Sequence, residues 1–286
     1  MNIVKNILLT DRHKKPIATD IFFEENDKHK PVVIYAHGFN GFKDWGNFDM
    51  IAQQFAAAGF VFIKFNFSFN GTTPERPEEF TDLEAYAANN YTKELDNLAA
   101  VIDWMTDANN PYASQMDSSG VSLIGHSRGG GIVLLKAAED DRVANVATWA
   151  SVSQCKTPWG NWPDEKMADW KETGVAYIAN SRTHQQLPLH YQLYEDFQQH
   201  KTRLDMEAAL NKLNIPVLIC HGEDDSSVAV SNAYQLYEWS RSAELFITTG
   251  DHVFGRKHPW PEATLPEAMQ NVVDKSINFL FEAVRR

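Results

Sequence analysis

The feature that most constrains this chain is a run of buried-type strand segments separated by stretches of helical spacing. Residues 31–36 (Pro-Val-Val-Ile-Tyr-Ala) are almost uninterruptedly apolar and stop at His37-Gly38. A strand with one wet face alternates apolar and polar residues, so continuous apolarity suits a central strand buried on both faces. Residues 60–67, rich in aromatic and β-branched side chains, are predicted as a second strand. Further strands are expected at 121–124, 143–150, 216–220 and 243–248. Between them, helical spacing covers 48–58, closed by Gly59 at the position past the last turn, and 94–105, where Leu95, Leu98, Val101, Ile102 and Met105 share a face. Helices are also predicted over 130–138, 231–240 and 266–284. Alternation of this kind argues for an α/β fold with a mostly parallel central sheet flanked on both faces by helices. Ahead of it, two apolar runs at 3–9 and 17–23 flank the polar turn 11–15 and read as an antiparallel hairpin. Residues 70–79, with Gly71, Pro74 and Pro77, form a loop.

The rhythm breaks at 151–202. This stretch holds Trp159, Trp162, Trp170, Tyr177, Tyr191 and Tyr194 with several prolines and no clear strand, and is expected to be an insertion capping the sheet. Its tryptophans either form a small core of their own or line an apolar pocket. A length of 286 residues suits one large domain, 1–286, carrying that cap. With 43% apolar and 22% charged residues the composition is that of a soluble globular protein. The net charge of −12 repels phosphate backbones and anionic bilayers, which argues against nucleic acid as a partner. The first apolar stretch is too short and interrupted for a signal peptide or a spanning helix, so no membrane insertion and a cytoplasmic location are expected. The two cysteines, Cys155 and Cys220, are far apart and have no neighbour at metal-ligand spacing; Cys220 ends an apolar run and is expected to be a buried thiol.

Four short patterns each follow a predicted strand. In parallel α/β sheets, sites form outside the carboxyl ends of the strands. Gly125-His126-Ser127-Arg128-Gly129 lies between the strand 121–124 and a helix. This is G-x-S-x-G, in which small flanking residues let a serine occupy a sharp, strained turn. The helix behind Ser127 brings a positive dipole end towards developing negative charge. His37-Gly38-Phe39-Asn40-Gly41, His221-Gly222-Glu223-Asp224-Asp225-Ser226-Ser227-Val228 and Thr249-Gly250-Asp251-His252-Val253-Phe254 are the other three.

With these residues in place the chain resembles the α/β-hydrolases, and 125–129 resembles their nucleophile elbow. The resemblance runs from His37 to about Phe254, together with the leading hairpin. It implies Ser127 as nucleophile, His252 as general base and Asp225 as the acid that orients the imidazole, in the chain order Ser, Asp, His. It also implies an oxyanion hole made by the backbone N–H groups of Phe39 and Arg128. Glu223 and Asp224 compete with Asp225 for the acid role, and Asp251 is a further alternative. His37 is expected to be a structural hydrogen-bonding group and His258 a surface residue. Arg128, His184 and His190 are either solvated or hydrogen-bonded, or meet a polar group of the substrate.

The branch most similar includes dienelactone hydrolases, acylaminoacyl-peptidase-like enzymes and small feruloyl-type esterases. The chain has no room for the peptidases' propeller, and position 127 is serine where dienelactone hydrolases use cysteine. Those departures favour an ester over a peptide or lactone, and a small-molecule ester is the expected substrate. Amide, peptide or carbon–carbon hydrolysis by the same three residues, or an inactive ligand-binding relative, are the alternatives. Such chemistry implies no metal and no organic cofactor. A histidine base must be neutral before attack, so kcat/KM is expected to rise through an acid limb near neutrality.

Overall fold

The computed structural model describes residues 1–284. Eight strands form one sheet: β1 (Asn2–Thr10), β2 (Pro16–Phe23), β3 (Lys30–Ala36), β4 (Val61–Phe65), β5 (Met116–His126), β6 (Val143–Trp149), β9 (Val217–Gly222) and β10 (Ala243–Thr248). Their spatial order is β1-β2-β4-β3-β5-β6-β9-β10. The hairpin β1–β2 is antiparallel and β2 joins β4 antiparallel, while every pair from β4 to β10 is parallel. The order thus starts with the predicted hairpin and continues as the predicted parallel sheet.

The helices are α1 (Phe48–Ala57), α2 (Leu83–Ala87), α3 (Tyr91–Thr106), α4 (Arg128–Glu139), α5 (Asp164–Thr173), α6 (Gln192–Gln199), α7 (Met206–Lys212), α8 (Ser231–Trp239) and α9 (Glu267–Val284). The continuous apolarity of 31–36 has its explanation in how the two faces of β3 are used. Val32, Ile34 and Ala36 join one buried cluster with Leu95, Leu98 and Ile102 of α3 and Ile132 and Val133 of α4. Val33 and Tyr35 join the other, with Phe48, Ile51 and Phe55 of α1 and Met269, Val272 and Val273 of α9. Both faces are therefore dry, and each apolar residue of the strand has a helix to pack on.

Within 151–202 the structure corrects one expectation. Two strands are present, β7 (Val175–Ala179) and β8 (Gln186–His190), paired antiparallel with Ala176 opposite Leu189 and Ile178 opposite Leu187. Each has five residues, and β8 contains Pro188, which has no N–H to give to a ladder and weakens the strand signal. The pair is nevertheless held by burial of Ala176, Leu187 and Leu189, while Tyr177 faces out. Trp170 is fully buried, donates Nε1–H to the Leu189 carbonyl at 2.7 Å, and lies against Trp159, Trp162 and Tyr191. The short helices α2 and α7 were not visible in the periodicity, because five and seven residues are too few to display it.

Candidate active site

The turn after β5 is tight enough to select its residues. Ser127 sits at φ 55°, ψ −121°, a left-handed conformation that few side chains adopt. A side chain at Gly125 would collide with the backbone of Gly129, and one at Gly129 with the carbonyls of Ala36 and His37. The Ser127 N–H donates to Trp149 O at 2.9 Å, which ties the turn to the end of β6. Ser127 Oγ is thereby presented above the carboxyl ends of the central strands, directly at the start of α4.

The loops after β9 and β10 bring two further side chains to it. His252 Nε2 lies 3.0 Å from Ser127 Oγ, and His252 Nδ1 lies 2.8 Å from Asp225 Oδ2. Asp225 is buried. Burial alone would raise its pKa, but hydrogen bonds from His221, His252 and the Val228 N–H hold the carboxyl well below the usual carboxylate range. Its other oxygen accepts from the N–H groups of Ser227 at 2.9 Å and Val228 at 2.8 Å. An ionised Asp225 can only accept, so His252 Nδ1 carries the proton and Nε2 is left free to accept from the serine hydroxyl. Glu223 and Asp224 are exposed. Asp251 is exposed too and accepts from the N–H groups of Val253 and Gly255 instead. Of the four carboxylates considered from sequence, Asp225 is the one placed against His252.

Two residues whose part was not legible in sequence hold this chain in position. His221 is fully buried, with Nε2–H directed at Val228 O at 2.8 Å and 3.2 Å from Asp225 Oδ2, so it fixes the acid loop. His126 donates Nε2–H to the His252 carbonyl at 2.8 Å, which fixes the histidine loop. Burial, followed by the nearby His252 and Arg256, pushes the His126 pKa well down, so it stays neutral. The middle position of G-x-S-x-G tolerates any residue, and so carries no signal of this kind.

His37 behaves as expected of a structural group. Its Nδ1–H donates to Gly38 O at 2.9 Å and its Nε2 accepts the Phe67 N–H at 3.3 Å. Burial brings its pKa down to about 4. The loop it anchors packs on the serine, since a side chain at Gly38 would touch Ser127 Cβ. Phe39 follows in that loop, and Arg128 is the first residue of α4, whose N–H has no carbonyl a turn before it. A cavity of about 140 Å³ opens over Ser127 and His252, walled by Tyr35, Phe39, Trp45 and Phe48.

Three other expectations are settled by position. His258 is not a surface residue: it lies between Phe42 and Trp45, with Nδ1 accepting the Gly46 N–H at 2.9 Å. Arg128 is buried, bound to Glu94 at 3.0 Å and stacked 3.9 Å over the Tyr91 ring. His184 is exposed and His190 half-buried, and neither lines the cavity over Ser127. Trp159, Trp162 and Trp170 do not line it either; Trp159 and Trp162 pack on Trp170.

Residues 31–181 match the family model described as the alpha/beta hydrolase fold. Over 125 residues, 44% of this chain, the sequence is 27% identical to the quorum-quenching protein AidA of Acinetobacter baumannii. That alignment covers 35% of AidA, so the chain spans about a third of the length of this curated relative. Among solved structures, Est1E from Butyrivibrio proteoclasticus is similar with a TM-score of 0.68 at 16% identity, covering 99% of this chain and 100% of that one. Dienelactone hydrolase from Anabaena variabilis gives 0.64 at 16% identity, covering 99% of each chain. At such identities the likeness is one of fold.

Proposed function

Because the chain belongs to the α/β-hydrolase family, we propose that it is a serine hydrolase that cleaves carboxylic esters of small-molecule size through an acyl-enzyme on Ser127. The observation that carries this reading is the continuous chain Asp225 Oδ2, His252 Nδ1, His252 Nε2, Ser127 Oγ, at 2.8 and 3.0 Å. Ser127 Oγ attacks the ester carbonyl while His252 Nε2 takes its proton. Ionised Asp225 stabilises the imidazolium and holds its orientation without accepting the proton. The charge that develops on the carbonyl oxygen is met by the N–H groups of Phe39 and Arg128, which need no reorganisation because both are backbone. Collapse expels the alcohol, protonated by His252. Water then attacks the acyl-enzyme with His252 again as base, and Ser127 recovers its proton when the acid leaves.

The aromatic walls of the cavity favour an apolar acyl or alcohol group. Est1E, similar in fold, has been solved with ferulic acid bound. The net charge of −12 disfavours polyanionic substrates. The test is labelling with a fluorophosphonate probe, followed by p-nitrophenyl esters and aminoacyl amides under the same conditions. Labelling at Ser127 with esters as the better substrates is the expected result. Faster amide turnover would reassign the bond cleaved, and absence of labelling would point to a ligand-binding relative without catalysis.

A further inference from the structure

Beside the cavity over Ser127 lies a second, smaller one. It shares residues 37–41 with the cavity over Ser127 and is lined further by Tyr86, Asn89, Glu94 and Arg128, with Leu189 of β8 and Leu193 of α6. Its room is about 20 Å³, enough for one water-sized group.

Two residues that line it each carry a buried polar atom with no partner among the described residues. Arg128 is 1% exposed, and its guanidinium uses Nε on Glu94 Oε2 and Nη1 on the Thr157 carbonyl, yet Nη2 is buried and unpaired. Asn89 gives its Nδ2–H to Glu94 Oε1 at 2.7 Å, and its Oδ1 is buried and unpaired as well. The amide cannot be turned round to change this, because Oδ1 would then face a carboxylate. A buried donor or acceptor left unmade costs stability, so two of them on residues lining one cavity require an explanation. Together they ask for a group that accepts from Arg128 and donates to Asn89. An anion does not meet that demand: Glu94 already neutralises Arg128, and Asn89 Oδ1 would repel it. A carbonyl accepts but cannot donate. A hydroxyl does both.

We propose that this cavity is a specificity subsite for a hydroxyl group of the substrate, which accepts from Arg128 Nη2–H and donates to Asn89 Oδ1. The inference rests on the esterase reading above and narrows its substrate to hydroxylated esters. The hydroxyl is carried either by the acyl chain or by the alcohol part, and both present the same chemistry to the wall.

The experiment compares kcat/KM of the wild-type enzyme on matched pairs of esters. In one arm the acyl chain carries a hydroxyl or lacks it; in the other the alcohol part does. One arm is expected to favour the hydroxylated member by roughly tenfold to a hundredfold, which also identifies the side that enters the cavity. Equal values in both arms, with Ser127 still labelled by the fluorophosphonate, overturn the subsite, the cavity then holding only a resident water, and leave the esterase reading intact. Failure of Ser127 to label overturns both. Asn89→Ala is expected to lower kcat/KM more on the hydroxylated ester than on its deoxy partner, bringing the ratio towards one. Arg128→Met paired with Glu94→Gln, which avoids stranding a buried carboxylate, is expected to do the same. A ratio unchanged in both variants, with circular dichroism showing them folded, overturns the proposal.

Discussion

Ser127 holds a left-handed backbone conformation that costs about 1–3 kcal/mol, and it is retained where Oγ meets His252 Nε2. Alanine is no more and no less strained there, so Ser127→Ala is expected to melt close to the wild type while losing all fluorophosphonate labelling and at least about a thousandfold in turnover. Full labelling of that variant at another serine would refute the assignment. Asp225 and Asp224 differ by one position, yet one is buried against His252 and the other is exposed. Asp225→Asn is expected to lower kcat by roughly three to four orders of magnitude, because an amide favours the wrong imidazole tautomer. Asp224→Asn is expected to leave kcat within about twofold. Steady-state kinetics on one ester would separate the two, and the reverse pattern would show that the other carboxylate orients the base.

At the scale of elements, the turn between β5 and α4 works because two backbones come closer than any side chain permits. Gly125→Ala would place a methyl group against the backbone of Gly129, which has nowhere to go. It is expected to cost about 3 kcal/mol or more in urea denaturation. Gly131, one turn along α4, is different. A methyl there clashes with the end of the Met206 side chain, which is flexible and can swing aside, and meets Val152 Cγ2 at an ordinary contact distance of 3.4 Å. Gly131→Ala is accordingly expected to fall within about 1 kcal/mol of the wild type, helped by the better helix propensity of alanine. Similar losses in both variants would mean that the helix as a whole, rather than the turn, is what cannot shift.

The whole molecule should be most stable near neutral pH and weaken in two stages on acidification. His37 and His126 are kept neutral by burial, so their folded pKa values lie below that of an unfolded histidine, near about 6.5. The unfolded state then binds more protons as pH falls below about 6.5, and stability starts to decline there. The second stage comes from carboxylates. Beside Asp225, Asp44 and Asp49 are held low despite burial by Lys64, with Lys43 adding to the effect on Asp44 and Lys5 to that on Asp49. Their contribution is complete above the unfolded carboxylate value of about 4 and is lost as pH drops through their folded values. Melting temperatures from about pH 8 to 3 at fixed ionic strength should show both declines. A flat profile between about pH 7 and 5 would contradict the neutral buried histidines.

The sequence by itself determined the layered sheet and the order of its parts. Continuous apolar strands, helical spacing and glycines at a turn are local properties, written in neighbouring residues and enforced by sterics and burial. The same locality made Ser127 and His252 legible, since each closes a motif at a strand end. What the sequence left open was every matter of distance between segments far apart in the chain. Asp225 is set apart from Glu223, Asp224 and Asp251 by contact between two loops far apart in the chain, since its carboxylate alone lies against His252 Nδ1, while Glu223 and Asp224 are exposed and Asp251 accepts from its own loop. The parts of His126 and His221, the seating of His258 against Phe42 and the pairing of β7 with β8 depend on partners that no local pattern specifies. Arg128 is the clearest case. In the sequence it is a charged residue beside a serine, and only the packing of α3, α4 and the segment at Thr157 encloses its guanidinium with Glu94 and leaves one nitrogen without a partner among the described residues. Hydrogen bonds and burial are made between elements, so they are decided when the elements meet.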